Sequence, residues 1–286
     1  MSDLMRQLSA APRPLIMGIL NVTPDSFSDG GRFFLADRLD VDRVVDAARR
    51  MVADGADILD IGGESTRPGA VPLGADEELD RVVPVIEAIV RHVDVPLSVD
   101  TSDPWVMTEA VRAGASLIND VRALARPGAL AAAAAAVRDH DAAVCLMHMR
   151  GEPGTMADHA HYEDLVREVI DELRARIDLA IDAGIPRDKI LIDPGFGFAK
   201  NTEQNLRLLD RLSEVNRLGF PVLVGLSRKR MIGEITGRSV SDRMAGSVAL
   251  AVLAIDRGAR VVRVHDVAAT RDACRLFSAM METRQG

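Results

Sequence analysis

Short apolar segments recur eight times along this chain, and each is followed by a segment with helical spacing. The apolar segments are nearly continuous in hydrophobicity rather than alternating between apolar and polar residues. That pattern is typical of strands covered on both faces, as in parallel sheets. The predicted strands are Leu15–Leu20, Asp57–Ile61, Val95–Asp100, Ser116–Asn119, Ala142–Met147, Lys189–Asp193, Pro221–Gly225 and Arg260–Val264.

The segments between these strands carry the end signals of helices. A glycine stands a few residues before several of the strands, where it suits the C-terminal end of a helix; these are Gly55, Gly114, Gly184, Gly219 and Gly258. The alanine run at 131–136 occupies one of these positions, and alanine is the best helix former. We therefore interpret the run as a packed helix rather than as low complexity.

Eight strand-then-helix units without a linker favour a closed (β/α)₈ barrel, a TIM barrel, over an open doubly wound sheet. The glycine-rich fingerprint of dinucleotide-binding folds does not follow the first strand. We expect a single α/β catalytic domain over residues 14–286. Residues 1–13 form an N-terminal extension that we expect to be peripheral.

The composition of the chain argues against nucleic acids and membranes as its partners. The net charge of −8 and the single Trp and single Tyr argue against nucleic-acid binding. No segment is apolar for long enough to span a bilayer, and the N-terminus has no basic region followed by an uninterrupted apolar segment, so the expected location is the cytoplasm. Cys145 and Cys274 lie far apart in apolar segments, which predicts reduced core residues rather than a disulfide or zinc site.

Polar side chains stand at nearly every predicted strand exit. In a barrel these exits converge on one mouth, where the active sites of such folds lie. Any one of these residues alone is equally well explained as a buried structural partner. Together they predict a site, and they are Asn21, the segment 62–68, Asp100, Asn119, His148, Asp193, Ser227, Arg228, Lys229, Arg263 and His265.

One group suits a polyanion. Arg67, Arg263 and His265, supported by Asn21, can hold a group such as diphosphate. Mg²⁺ bridging such an anion would suit the amide oxygen of Asn21, with waters completing the shell.

A second group suits a flat heterocycle with ring N–H and amino groups. Asp100 and Asp193, with Asn119, supply acceptors that select such a ring geometrically. Lys229 follows the seventh strand and can donate to a carbonyl or ring nitrogen of the same heterocycle.

The loop over residues 21–31 is long, and it carries Phe27 among polar residues with glycines at its far end. A plain surface loop is the alternative, but barrel enzymes place lids and chemistry in such loops. We therefore expect a lid.

Long motifs in this chain resemble those of dihydropteroate synthases. LIMGILNVTPDSFSDGG and GADILDIGGESTRPG resemble the paired signatures of the family. The later motifs agree in order, over essentially all of residues 14–281: SVDT, LIND, LMHMRG, DPGFGFAK, GLSRKR and VRVHDV.

The resemblance implies a (β/α)₈ enzyme of folate biosynthesis. It would condense 6-hydroxymethyl-7,8-dihydropterin diphosphate with 4-aminobenzoate to give dihydropteroate and diphosphate. The catalytic residues implied are Asp29, Lys229 and Arg263. The pterin would be held by Asp100, Asn119, Met147, Asp193, Lys229 and Arg263.

The remaining roles come from the same resemblance. The diphosphate would bind Asn21, Arg67, Arg263 and His265, with Mg²⁺ at Asn21. The aminobenzoate would be framed by Phe27, Thr66, Pro68, Phe198, Ser227 and Lys229. No insertion is seen beside Phe198 or Ser227, so a variant that excludes sulfonamides is not indicated. His148 and Asp120 are weaker candidates that would orient other groups.

Two rivals stay open, namely a pterin-binding barrel of the methyltransferase type and a non-catalytic paralogue that binds pterin. The methyltransferase has no need of Arg67 and His265 around a diphosphate. Intact polar residues at every strand exit argue against the paralogue. A homodimer is also expected, through the apolar residues of the last two helical segments, 244–256 and 268–281: Val248, Leu250, Val252, Leu253, Leu276 and Met280.

Overall fold

The computed structural model describes residues 3–24, 33–35, 38–64 and 73–284. Eight parallel strands form its centre, and each coincides with one of the eight predicted segments. Their ends differ by at most two residues, as expected where sequence marks a strand less sharply than hydrogen bonding does. The strands are β1 Leu15–Asn21, β2 Ile58–Gly62, β3 Leu97–Asp100, β4 Leu117–Asp120, β5 Ala143–Met147, β6 Ile190–Asp193, β7 Leu223–Val224 and β8 Val261–Val264.

The strands pair in the order β6-β5-β4-β3-β2-β1-β8-β7. A parallel bridge between Ile192 and Val222 joins the two end strands of this order. The amide of Ile192 there donates to the carbonyl of Pro221 at 3.0 Å. The predicted (β/α)₈ barrel is confirmed, and the open doubly wound sheet is excluded.

Helices follow the strands on the outside of the barrel. Their bounds are α1 Asp3–Ala10, α2 Val41–Asp54, α3 Ala75–Val90, α4 Pro104–Ala113, α5 Ala129–His140, α6 Leu165–Asp182, α7 Thr202–Asp210, α8 Leu212–Val215, α9 Arg230–Thr236, α10 Met244–Asp256 and α11 Val267–Glu282. The alanine run lies inside α5, as predicted. Gly55 ends α2 with φ of 104°, a backbone conformation that favours glycine. None of the helices in the described ranges is both long and apolar enough to cross a membrane.

The N-terminal extension before β1 packs into the core, so the expectation that it is peripheral was wrong. Helix α1 places Leu4, Met5 and Leu8 against the barrel interior, where they join a buried cluster with Met17 and Leu117. Arg260 donates from Nη2 to the carbonyls of residues 8 and 11 at 2.8 and 3.0 Å. A short barrel strand leaves apolar side chains open at its N-terminal end, and α1 covers them.

Candidate active site

One cavity of about 680 Å³ opens at the C-terminal ends of the strands. Ten of the residues with a predicted catalytic or ligand-binding role line it: Asn21, Asp100, Asn119, Met147, Asp193, Phe198, Ser227, Lys229, Arg263 and His265. Strand register explains part of this convergence, because β1 to β4 place Asn21, Gly62, Asp100 and Asn119 opposite one another in a single row. Phe27, Asp29, Thr66, Arg67 and Pro68 lie outside the described residues.

Arg263 on β8 is held by two carboxylates inside the barrel. Its Nε donates to Asp60 at 2.5 Å and its Nη2 donates to Asp100 at 2.8 Å. Burial lowers the pKa of Arg263, but the charges of these carboxylates outweigh it and hold that pKa above its ordinary value. Burial raises the pKa of Asp100 and Arg263 opposes the rise. The guanidinium therefore stays charged at the wall of the cavity.

Asp60 lies behind the cavity wall and is a partner, missed by the sequence analysis, of two site residues. It lies in the middle of β2, is 0% exposed, and faces the amide nitrogen of Asn119 at 3.4 Å as well as Arg263. The available signal was an aspartate inside the otherwise apolar segment ILDIG. A buried carboxylate at such a position requires a cationic partner, and Arg263 supplies it from the strand two places away.

Asp193 and Lys229 form the opposite side of the cavity. Asp193 ends β6 and accepts from the backbone N–H of Gly195 at 2.7 Å. Burial raises the pKa of Asp193 to about 6 and lowers the pKa of Lys229 to about 8, and the two charges partly offset each shift. The ammonium of Lys229 lies 4.3 Å from the centre of the Phe198 ring, a cation–π distance. An acceptor and a donor with perturbed pKa values thus share one wall.

His265 is oriented by Ser227. The Ser227 hydroxyl accepts from the backbone N–H of His265 at 3.2 Å and lies 2.9 Å from Nδ1 of the same residue. Arg228, which has a φ of 56°, is bound through its Nη2 to Asp266 at 2.7 Å. The loop after β7 is therefore fixed to the end of β8, and both predicted residues reach the cavity.

His148, which the sequence analysis placed among the strand-exit residues of the site, does not line the cavity, and neither does Asp120. Asp120 accepts from the backbone N–H groups of Arg122 and Leu124 at 2.8 and 2.7 Å, and from the hydroxyl of Ser102. His148 is buried between Lys200 and Glu172, with 2.9 and 3.0 Å contacts to its two ring nitrogens. Both residues orient neighbouring groups, as the sequence analysis expected of the weaker candidates.

Glu64, from the predicted segment 62–68, also lines the cavity, and so does Lys200, which the sequence analysis did not single out. Glu64 directly follows the two glycines at the end of β2 and forms an ion pair with Arg122 at 3.4 Å. Lys200 ends the motif DPGFGFAK. A charged residue at the far end of a motif that is otherwise apolar and glycine-rich was the signal for Lys200.

The metal prediction rests on one amide. Asn21 closes β1 and lines the cavity, and a Cβ atom at Gly62 would lie only 3.2 Å from its Oδ1, so glycine keeps that oxygen accessible. Among the described residues, no three His, Cys, Asp or Glu side chains come together as a metal centre. One amide oxygen fits an ion carried mainly by phosphate oxygens and water, which is the usual way that proteins hold Mg²⁺.

The chain matches known proteins along most of its length. The family model described as "Pterin binding enzyme" matches residues 17–265. The dihydropteroate synthase of Escherichia coli (strain K12) is 46% identical over 275 residues, which cover 95% of this chain and 93% of that protein.

Solved structures that resemble this chain belong to the same family as this relative. A Yersinia pestis dihydropteroate synthase in complex with a sulfonamide drug superposes with a TM-score of 0.90 at 48% identity, covering 96% of each chain. The Xanthomonas albilineans dihydropteroate synthase with 4-aminobenzoic acid gives a TM-score of 0.85 at 53% identity, covering 94% of this chain and 93% of that one. Together with the barrel and its mouth, these matches show that the chain belongs to the pterin-binding enzyme family, among its dihydropteroate synthases.

Proposed function

We propose that this enzyme condenses 6-hydroxymethyl-7,8-dihydropterin diphosphate with 4-aminobenzoate to give 7,8-dihydropteroate and diphosphate. The observation that carries the proposal is the cavity wall itself. The buried Asp193 and the half-buried Asp100 share one cavity with the cations of Lys229 and Arg263. Acceptors of this kind suit a ring with N–H and amino donors, and the cations suit its carbonyl and an anionic leaving group.

The pterin is assigned to the deep end of the cavity. Asp193 and the free edge of Asp100 accept from ring N–H and amino groups, and Lys229 donates to the ring. Asn119 turns its amide nitrogen toward Asp60, which leaves its oxygen for a ligand. Met147 adds an apolar surface that is buried at the end of β5. Such paired polar contacts reject rings that lack the donors more strongly than apolar packing does.

The diphosphate is assigned to the mouth, with Arg263, His265, Asn21 and Arg67. If the Ser227 hydroxyl donates to Nδ1 of His265, then Nε2 carries the hydrogen and presents it to a phosphate oxygen. When bound at Asn21, Mg²⁺ would neutralise charge on the diphosphate oxygens. The aminobenzoate is assigned to Phe198, Ser227 and Lys229, together with Phe27, Thr66 and Pro68.

The chemistry follows from where charge develops. The bond between the pterin methylene and the diphosphate oxygen breaks, the aromatic amine forms the new C–N bond, and its proton leaves with diphosphate or water. Negative charge grows on the leaving group, where Arg263 and His265 stabilise it. We assign to the Asp29 carboxylate the role of stabilising the positive charge that grows on the pterin methylene. An aromatic amine is unprotonated at neutral pH, so the reaction needs no strong base.

The proposal is tested by measuring diphosphate release from the pterin substrate with and without 4-aminobenzoate. Release that depends on the amine and yields dihydropteroate supports it. Pterin binding without release would indicate a non-catalytic paralogue, and methyl transfer from a folate would indicate the methyltransferase-type barrel. For the lid, Asp29→Asn should depress turnover more than it weakens pterin binding, and a pure binding defect would contradict the assignment of Asp29.

We further propose that the enzyme is a homodimer of the cytoplasm. Helices α10 and α11 expose Leu253, Leu276 and Met280 on the barrel surface, and Leu276 is 75% exposed. Large apolar side chains grouped on neighbouring helices favour a self-complementary interface. The half-buried Val248, Leu250 and Val252 lie on the same helix α10. Both cysteines are free and buried, which suits a reducing compartment.

A further inference from the structure

Lysine is rare in this chain and confined to three positions. Of the 35 Lys and Arg residues only Lys189, Lys200 and Lys229 are lysines. Lys189 is buried at the foot of β6, and Lys229 lies in the cavity. Lys200 is also buried, and it too lines the cavity. The second and third lysines therefore both belong to the wall that contains Phe198.

The Lys200 side chain forms hydrogen bonds within the loop to which Lys200 itself belongs, residues 194–200 after β6. Its ammonium donates to the carbonyls of Gly195 and Phe198 at 3.1 and 3.0 Å. It also lies 2.9 Å from Nδ1 of His148. Because an ammonium can only donate, Nδ1 accepts and the hydrogen of the ring sits on Nε2, which faces Glu172 at 3.0 Å. A single cation thereby links the loop after β6 to the end of β5.

The unusual backbone conformation of this loop is stabilised by these hydrogen bonds. Gly195, Gly197 and Ala199 all have positive φ, at 72°, 79° and 48°. The carbonyl of His148 approaches so closely that a Cβ atom at Gly195 would lie 1.9 Å from it. Because left-handed residues alternate with ordinary ones here, the backbone carbonyls point in different directions. The Lys200 ammonium donates hydrogen bonds to two of these carbonyls. Burial lowers the pKa of Lys200 to about 7, a cost that a merely space-filling side chain would not incur.

Phe198 is the residue that this arrangement presents to the site. Its carbonyl is held by Lys200 and its ring is covered by the ammonium of Lys229 at 4.3 Å. The ring belongs to a small apolar cluster with Val121, Met147 and Met156. We infer that Lys200 is a positioning residue for the aminobenzoate, an inference that rests on the function proposed above. By binding the Phe198 carbonyl, Lys200 fixes the Phe198 ring against Lys229.

The test compares Lys200→Met with Lys189→Met. Lys189 is the matched control, since it is also buried, immediately precedes β6 at the opposite end of the barrel from the Lys200 loop, and pairs with Asp141. Steady-state kinetics are measured with each substrate varied in turn. We expect Lys200→Met to raise KM for 4-aminobenzoate on the order of tenfold, the size of one lost hydrogen bond to a charged group. KM for the pterin substrate and kcat should change less than about threefold in both variants.

A double-mutant cycle shows whether Lys200 acts through the ring. In a Phe198→Ala background, the further change Lys200→Met should shift KM for 4-aminobenzoate less than about twofold, because the ring that it positions is gone. Equal shifts in both backgrounds, or equal rises of both KM values, would overturn the inference. A wild-type enzyme that forms no dihydropteroate would instead overturn the proposed function.

A second variant covers the case in which Lys200→Met does not fold. His148→Leu removes one of the three acceptors and leaves the lysine in place. It should show the same selective rise in KM for 4-aminobenzoate, about threefold. His148→Asn keeps an acceptor near the position of Nδ1 and should restore KM to near the wild-type value. A fully folded His148→Leu enzyme with unchanged KM values would refute the role of the network.

Discussion

Asp60→Asn tests whether a buried ion pair holds the central arginine of the site. The substitution keeps the shape of the side chain and removes its charge. Arg263 would retain its 2.8 Å bond to Asp100 and lose the charged character of its 2.5 Å bond to Asp60. Because Asp60 is 0% exposed, water cannot replace the missing charge. We expect a loss of both stability and turnover.

The magnitude follows from what remains bound. Removing one partner of a buried pair costs about 3–5 kcal/mol when the other is left alone, and a single hydrogen bond to a charged group is worth about 1.5–3 kcal/mol. Asp100 keeps the guanidinium paired, so we expect about 2.5 kcal/mol. An unfolding entropy of about 2.1 cal/mol/K per residue gives about 0.6 kcal/mol/K for this chain, and hence a fall in Tm of about 4 °C.

Calorimetry and steady-state kinetics measure the two effects on the same preparations. Asp57→Asn is the matched control, because Asp57 immediately precedes the same strand and pairs with Arg13 at 2.7 Å at the opposite end of the barrel. The Asp57 pair is partly exposed, so its loss should lower Tm less and leave kcat unchanged. If Asp60→Asn melts within 1 °C of the wild type (about 0.6 kcal/mol) and turns over normally, Asp60 does not hold Arg263.

Three further predictions concern pH, the N-terminal helix and assembly. Asp193 has a pKa raised to about 6 and Lys229 one lowered to about 8, so kcat/KM for the pterin substrate should fall below pH 6 and above pH 8. In Lys229→Met the alkaline fall should disappear along with most of the activity; an unchanged profile would contradict the role of Lys229. Leu8→Ala should cost about 2–3 kcal/mol in urea unfolding while both KM values stay constant, and a kinetic defect would mean that the barrel floor communicates with its mouth. Leu276→Glu should convert a dimer to a monomer in sedimentation velocity, whereas Leu206→Glu, on the exposed face of α7, should not; two unaffected variants would place any interface elsewhere.

The sequence predicted the strands well because both sheet faces are buried. Continuous apolar segments mark such strands, and their spacing leaves few other folds. The seventh strand was the least regular, since Pro221–Gly225 yields only Leu223–Val224 as paired strand plus a bridge at Val222. Proline at the start of that segment cannot donate to a ladder. Strand length there depends on how the barrel closes, which no local pattern encodes.

The site was predictable where a polar residue ends a strand and obscure where it stands inside one. Asp100 and Asp193 follow apolar segments and were identified from position alone. Asp60 lies between isoleucine and leucine in mid-strand, and only its contact with Arg263, 203 residues later in the chain, reveals its use. Lys200 was hidden for a different reason, because two of its partners are backbone carbonyls of its own loop, which no residue type in the sequence marks.

The N-terminal helix has a consequence for the order in which the molecule is completed. It is synthesised before the strands of the barrel, yet it is tied to Arg260, which lies 252 and 249 residues beyond the two carbonyls that Arg260 binds. Strand β1 likewise needs β8 as one of its two neighbours. Contacts of such sequence separation form slowly and late. We therefore expect nascent chains that lack β8 to leave α1 undocked, exposing Leu4 and Leu8 as a recognition signal for chaperones until β8 has been made.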